Sequence, residues 1–243
     1  MSGEAMLATQ GITKHFGGVT AVEDVDFGLG YGEVVGLVGD NGAGKSTLVK
    51  MLCGVLQPDG GEMFLEGKQV SFDSPKDAKK KGIETVHQSG GLVDIFDVAS
   101  NMFLGREPTK FGLLNKNKMR QDAKETLGRL GIDVGSSKSI VNNLSGGQQQ
   151  AIAVGRAVFT DPRIVFMDEP TAALGVKEVD KVLNLITTLK EEGISVVFIS
   201  HVLQEVFEVA DRVVILRRGK KVGDLMTEET DKDEVVKLMV GSW

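Results

Sequence analysis

GDNGAGKST, Gly39 to Thr47, is the stretch on which the fold turns. It follows EVVGLV (Glu33 to Val38), a short β-branched run that reads as a buried strand, and it runs into KSTLVKMLC (Lys45 to Cys53), apolar at helical spacing. A strand, a glycine-rich loop and a helix in that order form a phosphate cradle. Glycines at 39, 42 and 44 let backbone N–H groups converge on phosphate oxygens, and the helix N-terminus adds the positive end of its dipole. Lys45 supplies a point charge for the β and γ phosphates, and the Ser46 hydroxyl is a hard oxygen suited to Mg²⁺. A glycine-rich turn that merely caps a helix is the competing reading, and the flanking strand and helix weigh against it. The loop alone leaves open many nucleotide hydrolases and kinases.

Outward from the loop, Ile164 to Met167, Val196 to Ile199 and Val213 to Leu216 join Val34 to Val38 as short apolar runs bounded by Gly, Asp or Ser. They predict buried strands of a largely parallel sheet. Val179, Val182, Leu183, Ile186 and Leu189 recur at helical spacing, as do Leu203, Val206, Phe207 and Ala210, so the chain reads as α/β. Strand-like pieces near Ala5 to Gln10, Ala21 to Leu29 and Glu62 to Leu65 predict an antiparallel side sheet at the N-terminus. Residues of about 91 to 160, with Ala123, Leu127 and Leu130 on one helix and Gln148 to Phe159 on another, read as a helical insert. The expected organisation is one domain over 1–243, its nucleotide core at about 1–90 and 161–243.

The 243 residues are 41% hydrophobic and 26% charged, the balance of an ordinary globular protein. No apolar run approaches the 18 or more residues of a membrane span, and MSGEAMLATQ has no secretory signal pattern. The single Cys53 excludes an internal disulfide and reads as a small buried apolar residue, compatible with a reducing compartment. A net charge of −6 argues against a nucleic-acid partner, and the basic runs Lys79 to Lys81 and Arg217 to Lys221 read as solvated faces or helix ends.

LSGGQQQ, Leu144 to Gln150, narrows the family. Its glycines before a helix make a second anion site, and Ser145 is also a good N-cap; the same exposed N–H groups can serve both ends. The motif resembles the signature of ABC ATPases, the nucleotide-binding subunits of ABC transporters. The resemblance covers essentially the whole chain, and it implies a P-loop ATPase of ABC type that sandwiches two nucleotides between two head-to-tail copies. It assigns nucleotide contacts to Phe16, stacked on adenine, to Gly39, Asn41, Gly42, Ala43, Gly44, Lys45, Ser46 and Thr47 of the loop, and, for the opposite copy's γ-phosphate, to Ser145, Gly146, Gly147 and Gln148. A core aromatic is the competing reading of Phe16.

In RIVFMDEP (Arg163 to Pro170) Asp168 resembles the acid that holds Mg²⁺ through water and Glu169 the carboxylate that polarises the attacking water. His201, closing ISH, resembles the switch histidine on the γ-phosphate, and Gln88, closing VHQ, the glutamine that touches Mg²⁺ and the water. ATP, Mg²⁺ and an integral membrane permease are therefore the implied ligands and partner.

EPTAALGVKE (Glu169 to Glu178), NMFLGRE (Asn101 to Glu107) and the ending KLMVG are similar to ATP-binding subunits of bacterial carbohydrate importers of the ribose, xylose and fructose class. This implies a peripheral protein on the cytoplasmic face of the inner membrane, working with a permease and, indirectly, a periplasmic sugar-binding protein. In many relatives the loop after the catalytic Glu reads SALD; here it is AALG, so Gly175 lacks the Asp that links the two sites across the dimer. Many members of the class carry two such domains in one polypeptide, and this chain carries one. The alternatives are an ABC ATPase of an exporter or lipoprotein-release complex, or a soluble one in DNA repair. The exposed-looking loop from Gln88 to about Val98, with Leu92, Ile95 and Phe96, reads either as a docking surface for the permease or as a small satellite core.

Overall fold

A computed structural model describes residues 5–86 and 91–241. In chain order the first half holds β1 (Leu7–Phe16), β2 (Val19–Val25), β3 (Gly28–Leu29), β4 (Val34–Val38), α1 (Lys45–Leu52), β5 (Gly60–Leu65), β6 (Lys68–Val70), α2 (Pro75–Lys80) and β7 (Ile83–Val86). A middle section follows with α3 (Val98–Met102), β8 (Thr109–Lys110), β9 (Leu113–Leu114), α4 (Lys116–Arg129) and α5 (Gly146–Val158). The chain then returns through β10 (Ile164–Asp168), α6 (Val176–Glu191), β11 (Ser195–Ile199), α7 (Leu203–Val209), β12 (Arg212–Arg217), β13 (Lys220–Met226) and α8 (Lys232–Val240).

The central sheet has the order β13-β12-β4-β11-β10-β7, parallel throughout except for β13 at one edge. Its strands are nearly continuous apolar runs because both faces are covered. Val35, Leu37, Phe166, Val197, Ile199 and Val214 point into one core, shared with α1 and the N-terminal sheet. Their alternates Val34, Val38, Val165, Met167, Phe198 and Val213 point into the other, shared with α5, α6 and α7. The period of two along each strand thus divides one short run between two cores. Gly36 of β4 lies where Val206 of α7 packs; an added Cβ would overlap the valine methyl, so the glycine sets how closely that helix approaches. The insert has its own core of Val98, Met102, Phe103, Met119, Ala123, Leu127 and Ile152.

An antiparallel sheet of order β2-β1-β5-β6, with β3 also on β1, covers the other side of α1. The expected strand from Ala21 to Leu29 is split in two. The buried Thr9 hydroxyl donates to the Val25 carbonyl at 3.0 Å and accepts from the Phe27 N–H at 2.9 Å, bridging the break. The expected first strand is longer at its far end, continuing through Phe16 into a Gly17–Gly18 turn.

Among the elements that the sequence reading did not anticipate, three cases show why. In β7 the charged Glu84 interrupts the apolar pattern, yet it is buried and takes the Lys79 ammonium at 3.0 Å and the Thr160 hydroxyl at 3.3 Å. Strand β13 is polar because it is an edge: its Asp224 meets Arg212 of β12, whose guanidinium also reaches Glu33 at 2.7 Å. The β8–β9 hairpin, carrying the exposed Phe111, is too short for any periodic signal. Cys53 is buried at the end of α1, where burial pushes its thiol up.

Candidate functional site

The phosphate loop leaves the central strand β4, so the sheet fixes where it starts. Gly39 has φ 146° and Gly44 φ 105°, conformations that residues with a Cβ rarely adopt. A Cβ on Gly39 would strike the Leu216 carbonyl of β12, and one on Gly44 would lie 2.5 Å from the Ala21 carbonyl of β2. The loop is thereby wedged between two sheets. It is also tied there: the Gly219 N–H donates to the Ala43 carbonyl at 3.0 Å, and the Glu23 N–H to the Gly219 carbonyl at 2.8 Å.

Gly44 caps α1 without a side chain, which leaves the first-turn N–H groups of Lys45, Ser46 and Thr47 facing out of the helix end toward an anion. The Lys45 ammonium lies back across the loop, donating to the carbonyls of Gly39 at 2.6 Å and Asp40 at 3.0 Å. Asp40, Asn41, Gly42 and Ala43 open on a cavity of about 390 Å³ shared with Arg217 and Arg218.

The carboxyl ends of β4, β10 and β11 are level, Asp168 standing opposite Ile199 and Ile199 opposite Leu37. Open parallel sheets bind ligands at this edge. Asp168 ends β10, and Glu169 follows in the left-handed region at φ 48°, a strained elbow held by its own N–H donating to the Ile199 carbonyl at 3.1 Å. The exposed His201 sits past the end of β11, with Nδ1 3.9 Å from Glu169 Oε1. Burial lowers the Lys45 ammonium, and Glu169, Asp40 and Asp168 are close enough to oppose that shift. Lysine, two acids and histidine from three strands therefore share one edge.

Between the elbow and the histidine lies a residue that the sequence reading passed over. Glu205 of α7 is 8% exposed, and its Oε2 accepts from the Thr171 hydroxyl at 2.7 Å and the Ser200 hydroxyl at 2.9 Å. Thr171 is two residues past Glu169 and Ser200 is next to His201, so one buried carboxylate ties both turns. Its spacing matched the amphipathic repeat of α7 and gave no sign of a polar network.

The second expected anion site begins α5. Ser145 is its N-cap, taking the Gln148 N–H at 3.3 Å, while Gln148 Oε1 accepts the Ser145 N–H at 3.1 Å, a complete capping box. Ser145 and Gly146 are exposed and Gly147 is buried. Gly146 faces Leu174 and Gly147 faces Glu178, both from the segment after Glu169. Gly175 caps α6 with no side chain, and its N–H donates to Glu178 Oε2 at 3.2 Å.

Phe16 is 48% exposed at the end of β1, with Lys14 Nζ 5.9 Å from its ring centroid, so it is no part of the core. Gln88 lies outside the described residues. Beyond it, Ile95 is largely exposed while Leu92 packs against both neighbouring cores. Beside that loop a groove of about 480 Å³ runs between β7 and the insert, lined by Lys79, Glu84, Leu104, Arg106, Arg156 and Thr160. Arg156 anchors it by donating to the Gly91 carbonyl at 2.8 Å.

Residues 22–172 match the family model described as ABC transporter. The chain is 45% identical to a xylose/arabinose import ATP-binding protein of Sulfolobus acidocaldarius, over 96% of this chain and 93% of that one. It is 42% identical to a fructose import ATP-binding protein of Rhizobium meliloti, over 100% and 96%. It is 43% identical to a ribose import ATP-binding protein of Streptomyces avermitilis, over 98% of this chain but 45% of that one, so it spans about half the length of the ribose relative. Among solved structures it is similar to an ATP-binding cassette of an ABC transporter in its ADP conformation, at TM-score 0.84 and 26% identity over 98% of this chain and 99% of that one. A dimeric cassette in a post-hydrolysis state bound to ADP and Pi is similar at TM-score 0.77 and 26% identity, over 91% and 99%.

Proposed function

This chain belongs to the ABC transporter family, and from that premise we propose that it is the ATP-hydrolysing subunit of a monosaccharide importer, acting as a head-to-tail pair. The observation that carries the reading is the convergence of Lys45, Asp168, Glu169 and His201 at one sheet edge, with Glu169 and His201 3.9 Å apart. In this reading the loop of Gly39 to Thr47 and Lys45 hold the ATP phosphates, and Phe16 stacks on the adenine. Glu169 polarises the attacking water, His201 orients it, and Glu205 fixes both turns. Phosphoryl transfer asks mainly for such positioning and for charge neutralisation.

Mg²⁺ would be held by the Ser46 hydroxyl, the Asp168 carboxylate and Gln88. The first two are half-buried oxygen donors at the same edge, and they fit an ion that takes its remaining ligands from phosphate and water. When bound it supplies charge neutralisation at the β and γ phosphates.

Ser145 and Gly147 serve the γ-phosphate bound by the opposite copy, and closure of the pair moves a permease docked at the groove beside Gly91 to Phe96. Among the described residues no helix is long and apolar enough to cross a membrane; in this reading the permease holds the chain at the inner face. The sugar class rests on the import names of relatives 41–45% identical over nearly the whole chain.

Single-turnover hydrolysis tests the site. Glu169→Gln is expected to lose a factor of ~10² to 10⁴ in rate with ATP affinity retained, whereas Lys45→Ala loses the affinity itself. A near-parent rate in Glu169→Gln takes the base role from Glu169. For the substrate class, stimulation of ATP turnover in the reconstituted transporter by a binding protein loaded with a pentose or ketohexose is the expected result, and its absence for every monosaccharide overturns it.

A further inference from the structure

The donors that begin α5 already have an anion beside them. The Glu178 side chain of α6 lies across the N-terminus of α5, so closely that a Cβ on Gly147 would stand 2.8 Å from Glu178 Cβ and 3.1 Å from Cγ. Its Oε2 accepts from the Gly175 N–H at 3.2 Å. The Ser145 hydroxyl and the N–H groups of Gly175 and Gly147 lie toward that carboxyl and hold it below the ordinary glutamate value. Ser145 and Gly147 are the donors that the proposed pairing assigns to the partner's γ-phosphate.

We propose that Glu178 is a further residue of this site, a resident carboxylate that Ser145 and Gly147 must release before they take the phosphate of the partner's nucleotide. The inference rests on the reading of those two residues given under Proposed function. One hydroxyl hydrogen and one N–H cannot serve a carboxylate and a phosphate together, and two anions a few ångströms apart repel. ATP, with its γ-phosphate, displaces the carboxylate; ADP, with no phosphate at that position, leaves it in place. Glu178 therefore sharpens the distinction between the two nucleotides and favours opening after hydrolysis. The same carboxylate holds the Gly175 N–H, and the Ala172 N–H donates to the Glu169 carbonyl at 3.1 Å. One short segment thus joins a copy's own hydrolytic elbow to the site it lends its partner, at the place where AALG lacks an acid of its own.

The test is sedimentation of the full chain in the hydrolysis-deficient Glu169→Gln background, with and without Glu178→Gln. Glutamine keeps the side-chain bulk and can still accept from Gly175, but it carries no charge. With MgATP the dimer is expected to tighten by about threefold to tenfold, a range set by an exposed charged contact. The gain is expected to shrink in ~0.5 M KCl, where the screening length falls to a few ångströms. With MgADP the double variant is expected to retain dimer that Glu169→Gln alone does not. Glu178→Ala is expected to tighten the dimer too, although it forfeits the cap on α6. An ATP dimer of unchanged or weaker affinity in both variants, at an unchanged thermal midpoint, overturns the proposal and leaves Glu178 a helix cap. A Glu169→Gln chain that stays monomeric with MgATP overturns instead the paired reading beneath it.

Discussion

Helices α1 and α5 both begin at glycines beside a proposed anion site, yet they are held in opposite ways. The N-terminus of α1 is shaped by its surroundings: Gly39 and Gly44 are in the left-handed region, wedged against the backbone of β12 and β2, and no side chain caps the helix. That of α5 is shaped by its own sequence, through the Ser145–Gln148 capping box, and its cap Ser145 and first residue Gly146 stay exposed. A loop that grips a nucleotide within one chain gains from being immobilised before binding, since no ordering cost then falls on the ligand. A helix end that, in the proposed pairing, meets a second copy gains from being locally complete and open.

The same substitution, glycine to alanine, separates the two designs. Gly44→Ala is expected to have the largest effect: the left-handed conformation costs a residue with a Cβ about 1–2 kcal/mol, and overlap with the Ala21 carbonyl raises the loss to about 2–4 kcal/mol. Equilibrium urea unfolding reads that loss, and ATP titration calorimetry is expected to show nucleotide binding falling with it. If Gly44→Ala proves neutral, the loop is not wedged and the contrast with α5 collapses.

Ser145→Ala comes next. Removing a capping hydroxyl typically costs about 1 kcal/mol, and here the loss should stay local, with hydrogen exchange quickening in the first turn of α5 and ATP binding by the monomer unchanged. Impaired monomer binding would mean that the two helix ends are coupled within one chain.

The smallest effect is expected from Gly146→Ala, exposed and without a left-handed backbone. Its new methyl meets only the tip of Leu174 at 3.0 Å, and better helix propensity offsets the crowding, so thermal unfolding should move by no more than about 0.5 kcal/mol. A loss as large as that of Gly44→Ala would show that the segment Ala172 to Gly175 presses on α5 with backbone rigidity.

How much of this was legible in the chain depended on whether a signal was local. The strand before the phosphate loop, the apolar runs of β10, β11 and β12, the helix patterns of α4 to α7 and the cap at Ser145 each depend on neighbours within a few residues, so they could be read directly. Strands β7 and β13 could not, because Glu84 and Asp224 look like surface charges until Lys79, Thr160 and Arg212 arrive from elsewhere in the chain. The family motifs named Lys45, Asp168, Glu169 and His201, but nothing in their spacing put Glu169 within 3.9 Å of His201; the level ends of β10 and β11 did that.

Glu178 and Glu205 carry the same lesson for the parts no motif announces. Each sits on a helix whose apolar repeat accounts for its neighbours, and each became a candidate only when packing set it against Gly147 or between Thr171 and Ser200. By itself the sequence determined the α/β class, the phosphate loop and the cap at Ser145, because backbone conformation and short-range hydrogen bonding follow from adjacent residues. Only the tertiary structure decided which carboxylates face which donors, because a side chain's electrostatic partners are whatever the crossing of strands and helices brings within a few ångströms, and chain separation does not encode that distance.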